Sequence, residues 1–251
     1  MLKTLATIVV ALLALSTAGC TGVTIKVDWA DGGAVQAGAA TPTPSTVTFT
    51  TPEAAIRHYL DGVTQNDTGR ILEASAIGEM SEGYQAELYV ERLGGVMIPQ
   101  TMPAPTDYPF YIAVNQAQQT TRILSQVRNF AYALLSDEDI AAGTPIQGVD
   151  AERMRKFITD IDPARLAIIE IKSISPPSVP AASETRYLEN SGRIARIYGA
   201  DEYSERLVLF AFEGSDYAMG FQLLRYGDKW KVMDQSSPLA GINVMGIPEK
   251  Q

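Results

Sequence analysis

The sequence predicts an α+β domain in which N-terminal helices pack on an antiparallel sheet, and two observations carry that expectation. Apolar residues recur at helical spacing through the first part of the chain, and the spacing shifts to period two near the end. The late β runs follow one another through two short, glycine-bearing connections, 213–216 and 227–228, which makes them an antiparallel meander. Helices first and a meander last is the α+β order.

The elements follow in turn. Thr50-x-x-Glu53 reads as a capping box, and Pro52 suits the first turn of a helix over 52–65. Ile56, Tyr59, Leu60 and Val63 give that helix one apolar face. Asp67 can cap a short second helix carrying Ile71, Leu72 and Ala76, and a third is expected over 83–93, stopped by Gly94-Gly95. Prolines 99, 103, 105 and 109 mark an irregular stretch. The longest helical pattern, 110–135, has a seam of Ile123, Val127, Phe130 and Leu134. A further helix runs from Asp150 to Ile161 and is closed by Asp162-Pro163. A strand is expected over 166–174, a helix or irregular segment over 184–198, and strands over 206–212, 218–226 and 229–234. Helix 52–65 should lie across the meander. Ile56, Tyr59, Leu60 and Val63 would then face Phe210, Phe212, Phe221 and Trp230, lining the core or a pocket within it. The three rings of Tyr108, Phe110 and Tyr111 are expected to be buried, plugging the space before the long helix; exposed, they would form a recognition patch.

The chain opens MLKTLATIVVALLALSTAGC. Lys3, a short apolar run over 5–15 and the small residues before Cys20 have the form of a secretory leader. The run is shorter than the roughly 20 residues a spanning helix needs. Thr17-Ala18-Gly19-Cys20 resembles the lipobox of bacterial lipoproteins, with Thr17 where Leu is usual. The resemblance implies a leader over 1–19 and a mature N-terminus at Cys20. That cysteine would carry the lipid, diacylglyceryl with palmitate-type acyl chains, and so anchor the protein in the cell membrane or outer membrane on its extracytoplasmic face. In an organism with two membranes, Thr21 rather than Asp after the cysteine resembles outer-membrane sorting. Residues 20–49, rich in Gly, Ala, Thr and Pro, read as a flexible tether before a domain over 50–245.

Cys20 is the single cysteine, so the chain has no internal disulfide and no cysteine-based zinc site. There are 29 acidic against 20 basic residues, a net charge of −9, and without the leader's Lys3 the net is −10. A surface of this sign repels phosphate backbones and anionic headgroups, which argues against nucleic acid as a partner. Membrane attachment would come from the lipid on Cys20, since two acyl chains anchor stably where one is marginal.

The helix-then-short-helix stretch PEAAIRHYLDGVTQNDTGRILEAS and the ending GFQLLRYGDKWKVMDQSS resemble the two ends of NTF2-like (cystatin-like) domains. The resemblance implies a cone, with a curved antiparallel sheet wrapped on the first helix around a pocket. The helices over about 83–161 would be an insertion into that cone, able to fill it or to lid it.

Catalytic chemistry leaves little trace. His58 is the sole histidine and falls on the flank of the first helix's apolar face. The patterns S-x-x-K, G-x-S-x-G, G-x-G-x-x-G and G-x-x-x-x-G-K are absent. Asp137-Glu138-Asp139 and Asp160-x-Asp162 have calcium-like spacing but no loop glycine and no closing Glu, and read as helix-cap carboxylates. No metal, cofactor or redox group is expected. Some NTF2-like proteins are isomerases or dehydratases with an Asp base, but no motif fixes such a role on Asp61, Tyr59, Tyr84 or Tyr89. The expected function is therefore a membrane-anchored, non-catalytic binding module of the cell envelope, taking an envelope protein or a small apolar ligand. The alternative is a small-molecule enzyme or carrier that uses the cone pocket.

Overall fold

Residues 47–98, 102–137 and 151–251 are described by the computed structural model of the chain. Cys20, the expected leader and most of the expected tether lie outside them. The elements are α1 (Pro52–Thr64), α2 (Thr68–Ala74), α3 (Ile77–Gly83), α4 (Ala86–Arg92), α5 (Pro109–Leu135), α6 (Ala151–Asp160), β1 (Glu170–Ser175), α7 (Glu184–Ile197), β2 (Glu202–Phe212), β3 (Ser215–Tyr226), β4 (Lys229–Asp234) and β5 (Glu249–Lys250). The sheet runs β1-β2-β3-β4, all antiparallel, with β5 joining β3 at Tyr217 and Ala218. This is the α+β class that the sequence predicts.

Several boundaries move, each for a local reason. The cap of α1 is Thr51, not Thr50: its hydroxyl accepts from Ala54 N, while Glu53 reaches away to Arg206 on β2 at 2.6 Å. The helix expected over 83–93 begins only at Ala86, as α4, and α3 over Ile77–Gly83 precedes it unpredicted; the two are separate because Tyr84 is extended at their junction. There Gly83 lies directly on the backbone of Tyr198 and Gly199, where a Cβ would come within 2.7 Å of Tyr198 O, and Gln85 N donates to Ile197 O. The strand expected over 166–174 begins only at Glu170. Pro163–Ile168 is a 3-10 turn capped by the Asp162 carboxylate, and Leu166 points into the core. The β2–β3 turn is tighter than expected. Glu213 and Gly214, both at positive φ, make a two-residue hairpin that lets β2 and β3 extend to Phe212 and Ser215. Packing also reaches past both expected ends of the domain. Phe49 is buried with its carbonyl accepting from Trp230 N, and β5 follows residue 245.

The sheet is covered on both faces. On one face Val208, Phe210, Phe212, Phe221, Leu223, Trp230 and Val232 share a core with Ile56, Tyr59, Leu60 and Val63 of α1. The other face packs Tyr203, Leu224 and Met233 under Met80 of α3 and Ile194 and Ala195 of α7. Burying one large apolar side chain contributes roughly 1.5–3 kcal/mol, so the first core dominates.

Candidate functional site

Where the resemblance to the cone implies a pocket, the structure has side chains. Tyr59 meets Phe221 edge-on, with ring centroids 5.7 Å apart. Ile123, Phe130 and Leu134 from α5 join the same core, Phe130 lying 5.8 Å from the Phe210 ring. The inserted helix therefore fills the interior. All eight residues that the sequence places at the core or pocket are buried among these groups.

One end of this interior is polar. Asp234, at the end of β4, accepts from Arg122 Nη1 at 2.8 Å and from Gln126 Nε2, and Arg122 Nη2 also donates to Met233 O. Gln126 Oε1 in turn accepts from Gln235 N at 2.9 Å. Burial raises the Asp234 carboxyl above its ordinary value of 3.8, against the pull of Arg122. The Tyr59 phenol is also pushed up by burial, with the nearby Asp234 charge adding to the shift. Its hydroxyl sits beside the Gln235 amide without closing a hydrogen bond. Tyr59 and Asp234 are thus an acid–phenol pair of the kind an enzyme could use, but both are sealed: Tyr59 is 0% and Asp234 2% exposed. Arg122, Gln126 and Asp234 were not legible as a group. The one hint is that Gln119 and Gln126 fall on the spacing of the α5 seam, at positions where an apolar residue would be routine.

The other candidates do not converge. Asp61 pairs with Arg70 at 3.3 Å, and Tyr84 packs on Tyr89 and Tyr198. His58 bonds Glu73 at 2.8 Å and lies against Phe49, securing the point where the chain enters the domain. Lys231, which the alternation of β4 places on a polar face, is buried instead, with its ammonium over the Phe49 ring and bonded to Glu73 O. Lys156 bridges Asp137 and Asp160, and holds the Asp137 carboxyl below its ordinary value by its hydrogen bond. Asp162 caps the 3-10 turn. Glu138 and Asp139 lie outside the described residues. An open groove of about 550 Å³ along α6 is lined by Glu152, Arg153, Arg155, Lys156 and Thr159. No helix among the described residues is long and apolar enough to cross a membrane.

The surface departs from expectation at the start of α5. Tyr108, Phe110, Tyr111 and Val114 are 63%, 70%, 39% and 44% exposed, not buried. The cause is the way the preceding segment is held. Asn115 accepts from Ala104 N at 2.7 Å and donates to Ala104 O at 2.8 Å, pinning the Pro103-Ala104-Pro105 stretch by both polar atoms of its central residue. That contact sets the buried side of the first turns at Asn115 and Gln119. Phe110, about 140° away around the helix, is turned to solvent. The rings touch one another: Tyr108 and Tyr111 are edge-on at 5.9 Å, and Phe110 and Tyr111 lie 5.5 Å apart. Asp107 is the only charged residue between Arg92 and Arg122.

No family model matches the chain, and no curated protein is similar to it in sequence. Among solved structures it is similar to a cystatin-like protein from Ruminococcus gnavus ATCC 29149. The TM-score is 0.54 at 19% identity, over 80% of this chain and 44% of that one. The chain thus spans less than half of that protein's length. At this identity the likeness concerns the fold, and it agrees with the cystatin/NTF2-like arrangement of helices on an antiparallel sheet.

Proposed function

We propose that this protein is a lipid-anchored, non-catalytic binding module of the cell envelope that presents the start of α5 to a protein partner. One observation carries the reading. The same helix that fills the interior with Ile123, Phe130 and Leu134 displays a contiguous aromatic face on the surface. A filled interior removes the place where a small apolar ligand would sit, and an exposed cluster of rings is the feature by which protein surfaces recognise one another. The leader, the lone Cys20 and the Gly/Thr/Pro-rich stretch after it support an anchor at the extracytoplasmic face of the cell membrane or outer membrane, with a tether that holds the domain off the bilayer.

Two experiments test the reading. Cys20→Ser should move the protein out of the membrane fraction; retention there would overturn the anchor. A photo-crosslinking amino acid at Phe110 in intact cells should yield a protein adduct that the same probe at Ile168 does not. Ile168 is exposed but belongs to the turn that packs at the far end of α5, where Arg165 bonds Leu135 O. No adduct at Phe110 would remove the binding face. The enzyme alternative draws on the Tyr59–Asp234 pair, and it requires a substrate to reach two groups that are buried.

A further inference from the structure

We infer that the C-terminal strap, residues 243–251, is a hinged cover over the polar end of the interior, and that it lifts as a unit while both cores stay folded. The inference goes beyond the reading above and holds whatever meets the start of α5. Its first support is how lightly the strap is held. Firm anchoring ends at Ile242, which is buried and exchanges backbone hydrogen bonds with Ser237 in both directions; Ser237 in turn donates to the buried Glu205 carboxylate. Past that point only Gly246 and Pro248 are buried. Val244 and Met245 are exposed, and so is β5, which pairs with β3 over two residues. The bonds that hold the strap are polar. Gly246 N donates to Gln235 O at 2.9 Å, Gln251 N to Asp216 O at 2.9 Å, Asn129 Nδ2 to Met245 O at 3.3 Å and Gln126 Nε2 to Met245 Sδ at 3.7 Å. A segment with little apolar burial and hydrogen bonds close to solvent opens at low cost.

The second support is what lies beneath. Gly246 rests on the backbone of Gln126, and the Gln126 side chain joins Asp234 to Gln235. Hydrogen bonding is incomplete at this end. The Tyr59 hydroxyl, both polar atoms of the Gln235 side chain and Arg122 Nε are buried without a hydrogen-bond partner. Each such atom is penalised while the interior is closed and gains a partner when water enters. The apolar part of the core has no such incentive to open. Lifting the strap uncovers Gln126 and gives water and small polar molecules a way to Asp234 and Tyr59, which the closed structure seals. The strap is therefore the gate that a small-molecule activity at this pair would use.

Amide hydrogen exchange on the full chain, resolved to single residues, tests this. Gln235 N–H reports on water beneath the strap, because it donates to Gln126 Oε1 at 2.9 Å and to Asp234 Oδ1 at 3.1 Å. The amides of Gln235, Gly246 and Gln251 should exchange together, roughly tenfold or more faster than those of the β2–β3 ladder. Gly246→Ala adds a Cβ 2.3 Å from Gln126 O on a backbone at φ +66 to +86 typical of the left-handed turns here, its own φ being +74. It should speed Gln235 and Gln251 by roughly tenfold again and leave the ladder unchanged. Asn129→Ala removes one surface bond to the strap, keeps the fold and should act in the same direction with a smaller effect. Gln235 exchanging as slowly as the ladder, while Gly246 and Gln251 exchange fast, would show fraying without uncovering and would overturn the inference. So would a Gln235 rate that neither substitution moves. Equal rates for strap and ladder, in the unmodified chain or in either variant, would overturn it too, by making the two one unfolding unit.

Discussion

The two halves of α5 are one continuous helix in two environments. Its C-terminal half turns Ile123, Phe130 and Leu134 into the main core, and its N-terminal half turns Asn115 and Gln119 inward and aromatic rings outward. Between them Arg122 and Gln126 hold the helix to Asp234. The C-terminal strap crosses at the same level, Gly246 lying so close to Gln126 that a Cβ would come within 2.3 Å of Gln126 O. The contrast teaches that burial in this helix is bought with apolar area at one end and with directed hydrogen bonds at the other. Only the second arrangement leaves large rings free.

The comparison breaks most readily at the apolar end. Phe130→Ala removes a ring that is 1% exposed and tilted against Phe210, and should cost about 3–5 kcal/mol in urea unfolding. A loss below 1 kcal/mol would mean that α5 does not fill the interior.

The middle should respond to pH. Asp234→Asn deprives Arg122 and Gln126 of a charged acceptor, at a cost of about 1–3 kcal/mol at pH 7. Because burial raises the Asp234 carboxyl in the folded state above its ordinary 3.8, the folded protein holds the proton more tightly than the unfolded chain. That contribution is fully present below 3.8 and is lost as pH rises through the folded value. The gap in stability between wild type and Asn variant should therefore widen as pH is lowered towards 4. A gap that narrows would mean that Arg122 prevails over burial.

Asn115→Ala removes both bonds to Ala104 and should cost about 1–2 kcal/mol, with the loss of hydrogen-exchange protection concentrated at Ala104 N–H. Protection retained there would show that the prolines hold the segment without Asn115. The smallest effect sharpens the contrast most. Phe110→Ala should change stability by less than about 0.5 kcal/mol while abolishing the partner binding proposed for this face. A large loss of stability would show the ring to be structural.

Much of the fold was legible because local periodicity and end signals are local physics. The face of α1, the Asp67 cap of α2, the extent of α5 and the Gly227-Asp228 turn were all readable from neighbours in sequence. The joint at Tyr84 was not, because it depends on Gly83 meeting Gly199 across more than a hundred residues of chain. Lys231 alternates as a polar strand residue should, yet it is buried, since Phe49 and the end of α2 close over it.

The same division holds for the site. Sequence alone determined the α+β order, the lone cysteine, the acidic balance and the single charge between Arg92 and Arg122, for these are properties of residue type and spacing. It also placed three rings next to the longest helix. Which way they faced was a tertiary decision. Asn115 had first to find Ala104, and α5 had to find Asp234, before one side of its opening turns became the outside. Burial is a relation between distant segments, and a single side chain near a proline carries no record of which partner will reach it.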